Sequence, residues 1–484
     1  MKKSVKNNLI NLIIIILYAL ITFFIMLHHE PWRDEAQAWL LAKDLSFTNI
    51  LEFSRYEGHP MLWHLILMPF AKLGFPYITL NIISWLLMVI TAVLIIYKAP
   101  FNKFLKISIL ISSPFIYFYI SISRVYSLIA LLLILLAIIY KHKEKMPCIY
   151  GLLILLLANT HITMLGMVGM LILDFYIKNI FIAIKNKKLK ENKKLLLGFG
   201  IAVIGIILVF LQLLGSISSN EQVMLVEPQN YIYTLEQYII LFVFSYTGKQ
   251  NTLLIIIIFI AIITIMFWQI ITFKKRKNSI LIFYGSIIFQ VLVYVMVYQY
   301  IEQTMLITYF VIMFCIWIAH YKEDNFKENL VLDIILIIIS LITLLYSCKI
   351  IKIDFIYNYS SSKETAQFIN NTIEKGSLII STDDYTASSI IPYCKDYKFY
   401  NPQRRDIFTY VKWDEKRNAN VSYEELKDII KEQQNNNKVY ILTSKINLTD
   451  VINMFEAKNE ILPIFYSNQS LKADEKYYLY EINF

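Results

Sequence analysis

Two adjacent carboxylates, Asp34 and Glu35, stand in "HHEPWRDEAQAWL", directly after an apolar run and next to Arg33. Pro31 suits the first turn of a helix, so both acids fall where the helix dipole favours carboxylate. A carboxylate held there can take a proton from a nucleophile. With Glu57, in "YEGHP", the pair also supplies hard oxygen ligands for a divalent cation such as Mg or Mn, although paired acids alone do not require one. The other reading of Asp34 and Glu35 is a solvated helix start with a capping role. Arg124, in "SISRVYSL", carries a fork that matches phosphate oxygens; its alternative is a snorkelling side chain on lipid headgroups. Arg33, Arg55, His59 and His161 are further candidates for the same anion, and His161, in "LANTHITML", can equally hydrogen-bond its own turn. Glu302, in "YIEQTML", is either an acid lining a substrate cavity or an exposed loop acid.

These residues need elements to hold them, and the chain offers mostly membrane helices. A spanning helix takes about 20 apolar residues. About eleven runs qualify, at 9–27, 77–97, 104–122, 125–140, 147–160, 162–182, 195–214, 251–272, 279–298, 303–320 and 330–348. With the N-terminus in the cytoplasm, the lysine-rich loops at 98–106, 141–145, 185–194, 273–278 and 321–329 all fall on one side. The opposite side receives the loop 28–76, the turns at Arg124, 159–161 and Glu302, a loop over 215–251, and everything after Cys348. The chemistry-bearing residues therefore share the outer face. Within 28–76, "PWRDEAQAWLLAKDL" and "MLWHLILMPFAKLG" read as helices lying in the membrane interface, the first anchored by Trp32 and Trp39.

Composition agrees with a polytopic α-helical membrane protein. The 484 residues are 57% hydrophobic and 17% charged, and the mean hydropathy is +0.54, which excludes an ordinary soluble globular class. The net charge of +10 resides largely in the short loops, so it reports topology and not nucleic-acid binding. Leu27 runs into His28, His29, Glu30 and Pro31 without a small-residue cleavage site, so the first run reads as a retained anchor. The four cysteines show no CxxC spacing. Residues 1–348 form the transmembrane domain, with 28–76 as its interfacial outer loop. Residues 349–484 have the composition of a soluble domain, in which "SSKETAQFINNTIEKG" and "SYEELKDIIKEQQNNN" alternate with strand-like "SLIIST" and "KVYILT". That alternation predicts a small extracytoplasmic α/β domain with a partly parallel sheet. "TDDYT" reads as a turn and helix cap within it.

"RDEAQAW", "EGHPMLWHLILMPFAKLG", "SRVYSL" and "ANTH", with an exterior C-terminal domain, resemble the glycosyltransferase-C (GT-C) superfamily, specifically its family 39-like members. The likeness spans the chain in architecture, while its motifs concentrate in the first third. It implies a multi-pass cell-membrane glycosyltransferase moving a hexosyl or pentosyl group from a polyprenyl-phosphate-linked donor to a lipid, glycan or protein acceptor on the outer face. In that reading Asp34 matches the acid that activates the acceptor, Glu35 its companion, and Arg124 the arginine of the outer hairpin. The departure is the late outer turn, where a basic residue is expected and "YIEQTM" stands, so no phosphate-binding role passes to Glu302. The rival class is a transporter or flippase, which usually places its ionisable groups near the bilayer midplane. Asp174 and Asp333 are the intramembrane acids here, and both fall toward cytoplasmic ends.

Overall fold

Apolar runs too long for a globular core, punctuated by lysine-rich loops, fold as helices in the computed structural model of the chain. It describes residues 2–213, 230–248, 273–297, 301–321, 326–418, 420–433, 439–444 and 463–482, with isolated positions between 256 and 264. Seven described helices are long and apolar enough to cross a membrane: Lys6–His28, Thr79–Lys98, Ile162–Lys185, Lys193–Leu213, Lys277–Met296, Glu302–Ala319 and Leu330–Ile356. There are eight if Lys103–Leu110 and Pro114–Ser121, bent by 53°, count as one span. Pro114 has no N–H to continue the first of these two, and the chain resumes there as a π-helical turn over Pro114–Phe118. Two shorter apolar helices, Tyr126–Tyr140 and Pro147–Ala158, occupy the runs at 125–140 and 147–160. The run at 251–272 lies almost wholly outside the described residues. The loop expected over 215–251 instead carries a helix, Tyr231–Thr247. Its tyrosines obscure it as an apolar run but pack well: Tyr238 meets Tyr294 edge-on, ring centroids 5.1 Å apart.

The chain divides into two compact units. One comprises Met1–Met26, Leu51–Trp63 and Asn81–Ile350; the other comprises Leu27–Ile50, His64–Leu80 and Ile351–Phe484. In the first, Pro147–Ala158 and Lys193–Leu213 run parallel at backbone contact. A Cβ on Gly151 would fall 2.2 Å from the Gly198 carbonyl oxygen, and one on Gly205 would fall 2.6 Å from the Leu155 Cα. Only glycine permits that approach.

The second unit contains a six-stranded mixed sheet: β1 (Leu378–Ser381), β2 (Lys398–Asn401), β3 (Asp406–Phe408), β4 (Val439–Thr443), β5 (Phe465–Tyr466) and β6 (Tyr478–Ile482). Their order is β3-β2-β1-β4-β6-β5. β1 is parallel to β2 and β4, while the remaining pairs are antiparallel. Alternation along β1 sends Ile379 into one core and Ile380 into the other. Helix Tyr423–Gln433 covers the second core with Leu426, Ile429 and Ile430. The first core takes in Leu40, from helix Arg33–Asp44, more than 300 residues away in sequence. That helix is therefore no interfacial strip. Trp32 and Trp39, expected as membrane anchors, are each only 4% exposed and lie within protein. Gln37 locks the helix by exchanging two hydrogen bonds with the backbone of Val411, at 2.8 and 3.0 Å.

Candidate functional site

The start of helix Arg33–Asp44 separates the two acids that the sequence sets side by side. Trp32, in extended conformation at the N-cap, accepts from the N–H groups of Glu35 and Ala36, both at 3.0 Å. Its own N–H donates to the Glu35 carboxylate at 3.2 Å. Glu35 thus performs the reciprocal capping that three-residue spacing allows. It is fully buried, with His29 Nε2 3.5 Å away. The other ring nitrogen of His29 lies 3.2 Å from Asp354. Burial works against the imidazolium, but Asp354 and Glu35 outweigh it and hold the His29 pKa up at about 10. Asp34 differs: its side chain is 32% exposed, with Arg33 Nε at 3.9 Å. A group that must exchange a proton with a substrate needs such access, and Glu35 has none.

Carboxylates from the far end of the chain complete the surroundings. Arg33 pairs with Asp474, lies 4.0 Å from Glu475, and stands over the rings of Trp32 and Tyr385 at 5.2 and 5.1 Å. Its backbone N–H donates to Glu475 at 3.0 Å. The guanidinium is thereby committed within the unit. Lys472 lies 3.7 Å over the Trp32 ring; burial lowers its pKa, and nearby Asp34 partly restores it. Glu30 accepts from the Ser362 hydroxyl at 3.0 Å and from the Lys363 N–H. Burial pushes both Glu30 and Glu475 up to about 7, against the hydrogen bonds that each accepts. Sequence reasoning did not single out Glu30, His29, Asp354, Lys472, Asp474 or Glu475. The discoverable signal was an acid, Asp354, at the end of the last apolar run, and "KADEK" close to the C-terminus.

In the other unit, the turn after Ser121 carries Arg124, whose Nη2 lies 3.4 Å from His59 Nε2 and whose guanidinium carbon lies 5.9 Å from the Tyr126 ring. The guanidinium can only donate, so His59 Nε2 accepts. His161 caps a short turn: its Nδ1 accepts from the Thr163 N–H at 3.3 Å, which leaves the proton on Nε2. Burial, with His59 and Arg124 close by, lowers the His161 pKa to about 3, so this ring is a neutral donor. The Tyr126 hydroxyl, 3.0 Å from Thr304 Oγ1, ties the turn to the segment after Glu302. Three of the expected residues, Arg124, His59 and His161, therefore come together. Arg55 instead donates from Nε to its own helix, at the Glu52 carbonyl, 3.0 Å away. Glu57 ends helix Phe47–Glu57, and Glu302 accepts from the Tyr346 hydroxyl. The intramembrane acids are paired: Asp174 with Lys143 and with Tyr140 Oη at 2.8 Å, Asp333 with His320 at 3.3 Å. Among the described residues no group of three or more His, Cys, Asp or Glu side chains is arranged to hold a metal ion.

No family model and no curated protein matches the chain. A solved structure does, ArnT from Cupriavidus metallidurans bound to undecaprenyl phosphate: the match covers 97% of each chain with a TM-score of 0.54 at 8% sequence identity. The chain has a GT-C-like fold, that of a multi-pass membrane protein with a C-terminal sheet-containing domain.

Proposed function

We propose that the chain is a membrane glycosyltransferase that moves a sugar from a polyprenyl-phosphate-linked donor to an acceptor on the outer face of the membrane. The observation that carries the reading is the fold shared end to end with a protein captured with undecaprenyl phosphate. Asp34 takes the proton of the acceptor hydroxyl, and the acceptor oxygen attacks the anomeric carbon. The bond from that carbon to the phosphate oxygen breaks, polyprenyl phosphate departs with the electron pair, and a single displacement inverts the centre. Arg124 meets the charge of the departing phosphate, with His161 Nε2–H and His59 as hydrogen-bonding companions. Glu35 holds the helix start in place. Arg33 serves the architecture instead of the phosphate. The N-terminus is cytoplasmic and the C-terminal domain extracytoplasmic.

The test is release of polyprenyl phosphate, and gain of a sugar by an acceptor, when purified protein in lipid is given polyprenyl-phosphate sugars. Transfer with inversion supports the proposal. Passage of the intact donor across vesicles without transfer would replace it with a flippase.

A further inference from the structure

A second constellation of charge lies in the first unit and shares no residue with the cluster of Arg124, His59 and His161. Lys145, Lys188, Lys190, Lys193 and Lys194 line a cavity of about 680 Å³, with Asn179, Asn186 and Asn192 between them. Glu144 and Glu191 also line it, so the wall carries three more positive than negative side chains. None of the five lysines has an ion-pair partner among the described residues, in contrast to neighbouring Lys143, which is paired with Asp174. Two helices begin here, Pro147–Ala158 and Lys193–Leu213. Glycine contacts hold their first turns together: a Cβ on Gly198 would fall 2.5 Å from the Pro147 carbonyl oxygen. Because these helices are parallel, the positive ends of two dipoles lie side by side. Lysines at or just before those ends reverse the usual preference for acids in a first turn. The protein thus concentrates like charge where its own groups do not balance it.

Position identifies the counter-charge. Lys185 ends the span Ile162–Lys185, and Lys193 opens the span Lys193–Leu213, so the cavity lies at the level where two spans leave the bilayer. Below it the same helices turn large apolar side chains outward; Phe181 is 68% exposed and Leu197 60%. We propose that this cavity binds the phosphodiester headgroup of an anionic phospholipid. The lysines and the two helix N-termini meet the phosphate, and the acyl chains run along the exposed apolar faces of the spans.

The full-length protein, purified into phosphatidylcholine nanodiscs, tests this when phosphatidylglycerol replaces part of the phosphatidylcholine. Thermal unfolding and native mass spectrometry of retained lipid are the readouts, and inorganic phosphate forms a separate arm. Phosphatidylglycerol is expected to raise the Tm and to be retained, while inorganic phosphate at equal concentration does neither. The K188Q/K190Q/K193Q/K194Q variant should bind the lipid roughly tenfold or more weakly. Its Tm in pure phosphatidylcholine should equal or exceed that of the wild type, because repulsion has been relieved. K98Q/K103Q/K349Q/K352Q removes the same charge elsewhere and should retain the lipid response. Equal stabilisation by phosphatidylcholine alone, or an unchanged response in the first variant, overturns the proposal. Stabilisation by inorganic phosphate to the same extent also overturns it, in favour of a soluble-anion pocket.

Discussion

At the start of helix Arg33–Asp44 a buried imidazolium lies between two carboxylates, and two further acids, Glu30 and Glu475, hold their protons up to about 7. At the Arg124 turn a guanidinium adjoins two histidines, and one of them, His161, resists its proton down to about 3. Both regions are polar and largely buried, yet they respond to protons in opposite senses. The difference teaches that burial alone does not fix the charge of a group. His29 and His161 are both fully enclosed, and their neighbours decide which ring is cationic.

The largest effect should come from Asp34, the partly exposed member of the acid pair. D34N is expected to slow sugar transfer by about 10²–10⁴-fold while leaving the Tm unchanged, since the partly exposed amide keeps the shape of the carboxylate. A rate within a few-fold of wild type in a folded sample would falsify its role as the base. E35A should do the reverse, unfolding the second unit more readily by about 3–5 kcal/mol, because His29 loses one of its two counter-charges in a buried site. A thermally intact E35A protein would erase the proposed division between the acids. R124A should lower turnover about 10²-fold or more, and R124K should recover only part, because an ammonium lacks the planar fork. If R124A changed neither turnover nor donor KM, the phosphate would have to bind elsewhere.

The smallest effect, and the sharpest comparison, is in pH. Glu30 and Glu475 bind protons more tightly folded than unfolded, so their contribution to stability is full below about 4.5 and is lost as pH rises through about 7. His29 continues the same trend, with a contribution lost between 6.5 and about 10. His161 runs the other way: its contribution is full above 6.5 and is lost as pH falls toward about 3. Hydrogen exchange followed from pH 5 to 9 should therefore show the sheet unit loosening as pH rises. Over that range the His161 turn should hold or tighten. E475Q should flatten the first slope, and parallel slopes in both units would refute the contrast.

Much of this was legible in the sequence. Apolar length and lysine-rich loops located the helices, and the alternation of "SSKETAQFINNTIEKG" with "SLIIST" announced the mixed sheet, because these signals are local and periodic. Arg124 and His161 were visible as polar residues at turns expected on the outer face, and His59 as one in the expected outer loop 28–76. Their meeting was not, since it depends on how helices pack. The loop 28–76 was read as lying on the membrane because Trp32, Trp39 and Leu40 suit lipid and a protein core equally well; only tertiary contact distinguishes the two. Tyr231–Thr247 escaped notice because tyrosines that form aromatic pairs lower the apparent hydropathy of a buried helix.

The bond from the Arg33 N–H to Glu475, and the insertion of Leu40 into the sheet core, also set an order of events in time. A ribosome delivers Arg33 and then, 442 residues later, Glu475. Throughout that interval the helix start lacks its C-terminal partners. A chain interrupted before Glu475 would carry every proposed phosphate-binding residue and still leave the helix start beside the proposed general base unanchored, so residues made late act as a completion check on residues made early.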